Sequence, residues 1–109
     1  MKHTSLAAIP IHINLRGIPT RTLFERVTGS VKQLLLNAGQ GIPVHTAPLD
    51  VVFFILSGSG SLTIGDNTNR VVAHDVILCP QGTSMAVQAD DHSPLTFLNI
   101  KIPSESMAP

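Results

Sequence analysis

Along most of the chain, short apolar runs alternate with clusters of Gly, Pro, Asn and Asp. No segment spaces its apolar residues as a long amphipathic helix requires. The runs "TLFERV", "SVKQLLLN", "VVFFILS", "SLTIG", "RVVA", "DVILCP", "MAVQA" and "LTFLNIKI" are of strand length and rich in Val, Ile, Leu, Phe and Thr. Between them "TGS", "AGQGIP", "SGSG", "GDNTN", "PQGT" and "DDHSP" carry the residues that tight turns need. Short strands at this spacing predict an all-β sandwich or barrel. Residues 1–21, with Pro10, Gly17 and Pro19, read as an extended arm leading into a barrel over 22–103, and 104–109 as a frayed tail.

Composition adds a partner and removes two. At 109 residues the chain is one domain. A domain of that size buries roughly 65% of its unfolded surface, so neither a disulfide nor a metal is required for folding. Hydrophobic residues make up 43% and charged ones only 13%, about half the usual quarter. So little charge leaves apolar surface to hide, and a homodimer is the commonest way to hide it. Seven basic and seven acidic residues, scattered along the chain, argue against nucleic acid. The lone Cys79 suits a reducing compartment. The start, "MKHTSLAAIPIH", has too short an apolar part, broken by Pro10 and His12, for a signal peptide. No apolar run reaches the ~18 residues of a membrane span, so a cytoplasmic protein is expected.

The stretch "GQGIPVHTAPLDVVFFILSGSG", residues 39–60, carries candidate chemistry in its spacing: Gly39, five residues, His45, then Gly58. This resembles the first motif of the cupin family, G-x5-H-x-H-x3-E-x6-G. The family's second motif, G-x5-P-x-G-x2-H-x3-N, falls on "HDVILCPQGTSMAVQA", where Pro80 and Gly82 hold their places and Asp75 stands where the family often has an aspartate. The two motifs span residues 39–89, and the flanking strand-like segments extend the likeness to about 22–103. The resemblance implies an all-β, cupin-type double-stranded β-helix, or jelly-roll, barrel.

It also implies a metal site contributed by two histidines and a glutamate from the first motif and a histidine from the second. Only His45 matches; Ala47, Val51 and Met85 occupy the other three places, while His74 replaces the second motif's opening glycine and Ala89 its asparagine. One imidazole is too few for a divalent ion, since catalytic sites use about three protein ligands and structural ones about four. The replacements convert a polar cavity into an apolar one, with Met85 able to fill irregular space. No cofactor and no tightly held metal are therefore expected, and His45, Ala47, Val51, Phe53, Met85 and Cys79 are the candidate pocket residues. Asp50 should point away from the barrel interior by strand alternation. A soft set of His45, Cys79 and Met85, suited to Cu(I), is the alternative metal reading.

His45 is either held by a hydrogen bond at the barrel mouth or orients a ligand or moves a proton there. His74 and His92 fall in polar turns and His3 and His12 in the arm, where titrating surface groups are expected. The reading that follows is a small stand-alone cupin whose barrel is a small-molecule pocket or an interaction module. The alternatives are a metal-dependent oxygenase or isomerase, short of ligands, and a metal-free epimerase-like cupin using His45. The last needs a His paired with an acid and basic residues for a phosphorylated sugar, and Lys32 and Lys101 are the only strand candidates for those.

Overall fold

In the computed structural model, which describes residues 2–104, the alternating pattern resolves into nine antiparallel strands. They are β1 (His12–Ile13), β2 (Pro19–Arg26), β3 (Gly29–Leu36), β4 (Gly41–His45), β5 (Asp50–Ile64), β6 (Asn67–Val72), β7 (Val76–Cys79), β8 (Met85–Ala89) and β9 (Leu95–Ile102). The path β1-β2-β3-β9-β5-β8-β4 has β6 and β7 added alongside β5. The fifteen-residue β5 joins two sheets, its first half pairing with β7 and β9 and its second half with β6 and β8. The expected jelly-roll barrel is present.

Three elements differ from the sequence pattern, each for a local reason. "SGSG" is no turn: β5 runs through it with an irregularity between Ile55 and Ser57. Gly58 takes φ +86°, and a Cβ there would run into the Pro94 carbonyl. Only glycine satisfies both demands. β4 begins inside the expected turn "AGQGIP", where Gly41 and Pro43 mask a short strand. The barrel also begins earlier than residue 22, because β1 pairs with β2 (His12 opposite Thr20) and Thr20 pairs with Leu34. Of the expected tail, residues 105–109 lie outside the described residues; Ser104 is buried and donates to Gln81 Oε1 at 2.7 Å.

Alternation sorts the side chains. The core packs Ile18, Leu36, Ile55, Leu62, Leu95 and Phe97 among others, with the Phe53 and Phe97 rings 5.5 Å apart and tilted. On the outward face, Phe24, Val31, Ile100, Val52 and Leu78 stand opposite one another in a row across β2, β3, β9, β5 and β7. The same alternation leaves Val76 and Leu78 67% and 54% exposed, while Cys79 beside them is fully buried.

Among the described residues no helix is long and apolar enough to cross a membrane.

Candidate functional site

The inward positions of two neighbouring strands change character along their length. On β9 they run Leu95, Phe97, Asn99, Lys101, and on β3, in the opposite direction, Leu36, Leu34, Lys32. Lys32 stands opposite Asn99, which stands opposite Phe53 on β5. Where the apolar positions give way to polar ones, a cavity of about 260 Å³ opens. Its buried side is apolar, formed by Leu34, Ile42, Phe53, Met85 and Val87. Its polar side is formed by His12, Arg16, Lys32, His45, Asn99 and Lys101.

Two of those groups come from the segment expected to be an arm. β1 and β2 form a hairpin whose turn is set by Asn14: its Oδ1 accepts from the backbone N–H of Arg16 (2.9 Å) and of Ile18 (3.0 Å), and its carbonyl accepts from Gly17 N–H (2.9 Å). Gln40 Nε2 donates to Gly17 O (3.1 Å) and ties the turn to the first motif. This arrangement puts His12, Asn14 and Arg16 on the cavity wall. Arg16 and His12 thus join the two strand candidates, Lys32 and Lys101, on the cavity wall.

Of the six candidate pocket residues, His45, Ala47, Phe53 and Met85 line the cavity, and Val51 and Cys79 do not. His45 stands opposite Met85 between β4 and β8. Its ring contacts the Pro43 carbonyl at 2.9 Å. A carbonyl only accepts, so Nδ1 carries the proton and Nε2 of the neutral ring remains an acceptor. Val51 is fully buried, opposite Cys79 on one side and Lys101 on the other. The Cys79 thiol lies against the carbonyls of Thr83 (3.4 Å) and Pro80 (3.8 Å). Burial, followed by the Asp50 charge, pushes its pKa up, which keeps it a thiol. Cys79 thus stands outside the lining of the cavity that His45 and Met85 share.

The metal site that the resemblance implies does not fit the donors present. At the four motif positions stand one imidazole, a thioether and two aliphatic side chains. Among the described residues no three His, Cys, Asp or Glu side chains converge to hold an ion. Asp50 is engaged elsewhere, its Oδ1 accepting from Gln81 N–H at 2.7 Å.

The remaining candidates are structural or solvent-facing. His3 and His92 are exposed. His74 is exposed in the turn before β7 with φ +77°, so the residue at the motif's glycine position keeps the glycine conformation. Its neighbour Asp75 accepts from Val72 N–H (2.9 Å) and closes that turn. At the other end of the barrel Asp90 takes two bonds from Arg70 (2.6 Å each) and one from Ser59 Oγ (2.7 Å). These bonds hold its carboxyl well below the usual range, at about 2.

Comparison with known proteins agrees with this architecture. The family model described as cupin domain matches residues 33–101. No curated protein matches the sequence. Among solved structures, a conserved protein of unknown function from Streptococcus pyogenes is 30% identical, with a TM-score of 0.71 over 85% of this chain and 81% of that one. A cupin protein from Bacteroides fragilis is 24% identical, with a TM-score of 0.77 over 99% and 88%. The polyketide cyclase RemF from Streptomyces resistomycificus superimposes with a TM-score of 0.83 over 93% of this chain and 78% of that one, at 17% identity, a likeness of fold.

Proposed function

The chain belongs to the cupin family, and from that premise we propose that its barrel is a pocket for a small organic molecule and keeps no transition metal of its own. The observation that carries this reading is the cavity of about 260 Å³, with an apolar buried side and convergent polar groups. That pairing is typical of small-ligand sites, though the volume lies just below their usual range of roughly 300–1,000 Å³. His45 is the single family ligand in its wall, and its Nε2 acts there as a hydrogen-bond acceptor or proton-transfer group for the bound molecule. A metal-dependent oxygenase or isomerase would need donors where Ala47, Val51 and Met85 stand. An epimerase-like reaction would need an acid on His45, and among the described residues the partner of its ring is a backbone carbonyl.

The protein is further proposed to work as a homodimer in a reducing compartment, the cytoplasm. The apolar row from Phe24 to Leu78 supports the dimer, because a two-fold axis sets one such face against its copy. The single free thiol suits the compartment.

Elemental analysis and native mass spectrometry of protein purified without chelator test the pocket reading. A substoichiometric metal content together with a bound organic mass supports it. A stoichiometric transition metal would overturn it.

A further inference from the structure

Resting on the pocket reading above, we infer that the molecule this cavity takes is a small amphipathic anion, a carboxylate or equivalent oxyanion on an apolar body. Arg16, Lys32 and Lys101 bring fixed positive charge to the cavity, and among the described residues no Asp or Glu lines it. The chain as a whole balances seven basic against seven acidic residues, so this segregation belongs to the site rather than to composition.

Outside the site, three of the four Lys and Arg side chains are engaged with protein partners, the exposed Lys2 having none among the described residues. Arg70 is bound to Asp90, Arg21 to the Ile9 carbonyl and Gln33, and Arg26 to the Glu25 carbonyl. Lys32 reaches Glu25 at 3.3 Å, which offsets one charge at the wall. The side chains of Arg16 and Lys101 make no hydrogen bond or ion pair among the described residues. Lys101 is the sharper case. It is half-buried at an inward-facing position on β9, next in line after Phe97 and Asn99, where alternation elsewhere places apolar side chains. A cation held there without a counter-charge loses hydration for no return unless an anion joins it.

Asn99 and Asn14 place amides on the same wall. These are the neutral donors that complete an oxyanion's bonds once cations hold it. The opposite wall, Ile42, Phe53, Met85 and Val87, offers nothing to a charge and suits a short alkyl chain or one ring. A simple anion such as inorganic phosphate would leave that wall uncovered.

The test is calorimetric titration of the full chain with straight-chain monocarboxylates from acetate to octanoate, in parallel with the matching primary amides and inorganic phosphate. Each acid is expected to bind at least about tenfold more tightly than its amide, as a charge-assisted contact gives. Affinity should rise with chain length until the cavity is full. Added salt should weaken the acids and spare the amides. In an Arg16→Met, Lys101→Met double variant, checked for an unchanged melting profile, the difference between acid and amide should vanish while amide binding persists. Equal affinity of acids and amides in the wild type, or a difference that survives the double variant, would overturn the anion assignment and leave the pocket reading intact. Phosphate binding as tightly as the best acid would overturn the amphipathic part. Failure of both series to bind up to about 10 mM would overturn the assignment and the pocket together.

Discussion

The two ends of the barrel interior are built from the same strands and are chemically opposite. At one end Leu36 faces Leu95 across β3 and β9, with Ile55, Leu62 and Phe97 packed around them, all essentially without solvent contact. At the other, four residues further along each strand, Lys32 faces Asn99, and Lys101 follows on the same inner face. The closed end concentrates apolar burial, which is where a domain of this size gains its stability. The open end gives up that burial for a cavity and charge. An arrangement that sacrifices packing at one end only is what a binding site on a stable scaffold requires.

Substitutions should separate the ends by magnitude. Phe97→Ala, which removes a fully buried ring packed on Phe53, is expected to cost about 3–5 kcal/mol in chemical denaturation. Arg16→Met at the cavity edge should stay within about 0.5 kcal/mol. Comparable losses at both sites would break the contrast. Next in size is Gly58→Ala, where a left-handed φ and the approach of the Pro94 carbonyl coincide; a loss of about 2–3 kcal/mol is expected. His74→Gly should act in the opposite sense. It releases a non-glycine residue from φ +77° and should raise stability by about 0.5–1 kcal/mol, net of glycine's greater chain entropy.

The smallest effect depends on pH. Asp90 is depressed in the folded chain to about 2 from an ordinary value of 3.8. A carboxyl lowered on folding stabilises the native state above its unfolded pKa, and that contribution is lost as pH falls through the folded value. Denaturation midpoints should therefore drop between about pH 4 and pH 2 in the wild type and less steeply in Asp90→Asn. A parallel decline in both would remove Asp90 from the account of how the closed end is fastened.

The fold was legible because its signal is local. The apolar runs "VVFFILS" and "LTFLNIKI" mark β5 and β9, and the motif glycines mark conformations that other side chains resist: Gly39 and Gly82, like Gly58, have positive φ. Reading "SGSG" as a turn failed because a bulge and a turn call for the same residues. The cavity was only half legible. His45, Ala47 and Met85 follow from motif spacing, and Phe53, Lys32 and Lys101 could be picked out as strand residues. Arg16 and His12 could not, since they reach the site through the β1–β2 pairing, which no periodicity announces. The signal that was available is Asn14 followed by Gly17 between two short β-prone pieces, a hairpin turn in a segment read as an arm.

The central claim is that the open end is a ligand site and the closed end a scaffold. Amide chemical-shift mapping by NMR during titration with hexanoate tests it most directly. Shifts should concentrate at Lys32, His45, Phe53, Asn99 and Lys101, and leave Leu36, Leu62, Ala89 and Leu95 unmoved. Shifts confined to the outward row from Phe24 to Leu78, or spread equally over both ends of the barrel, would contradict it.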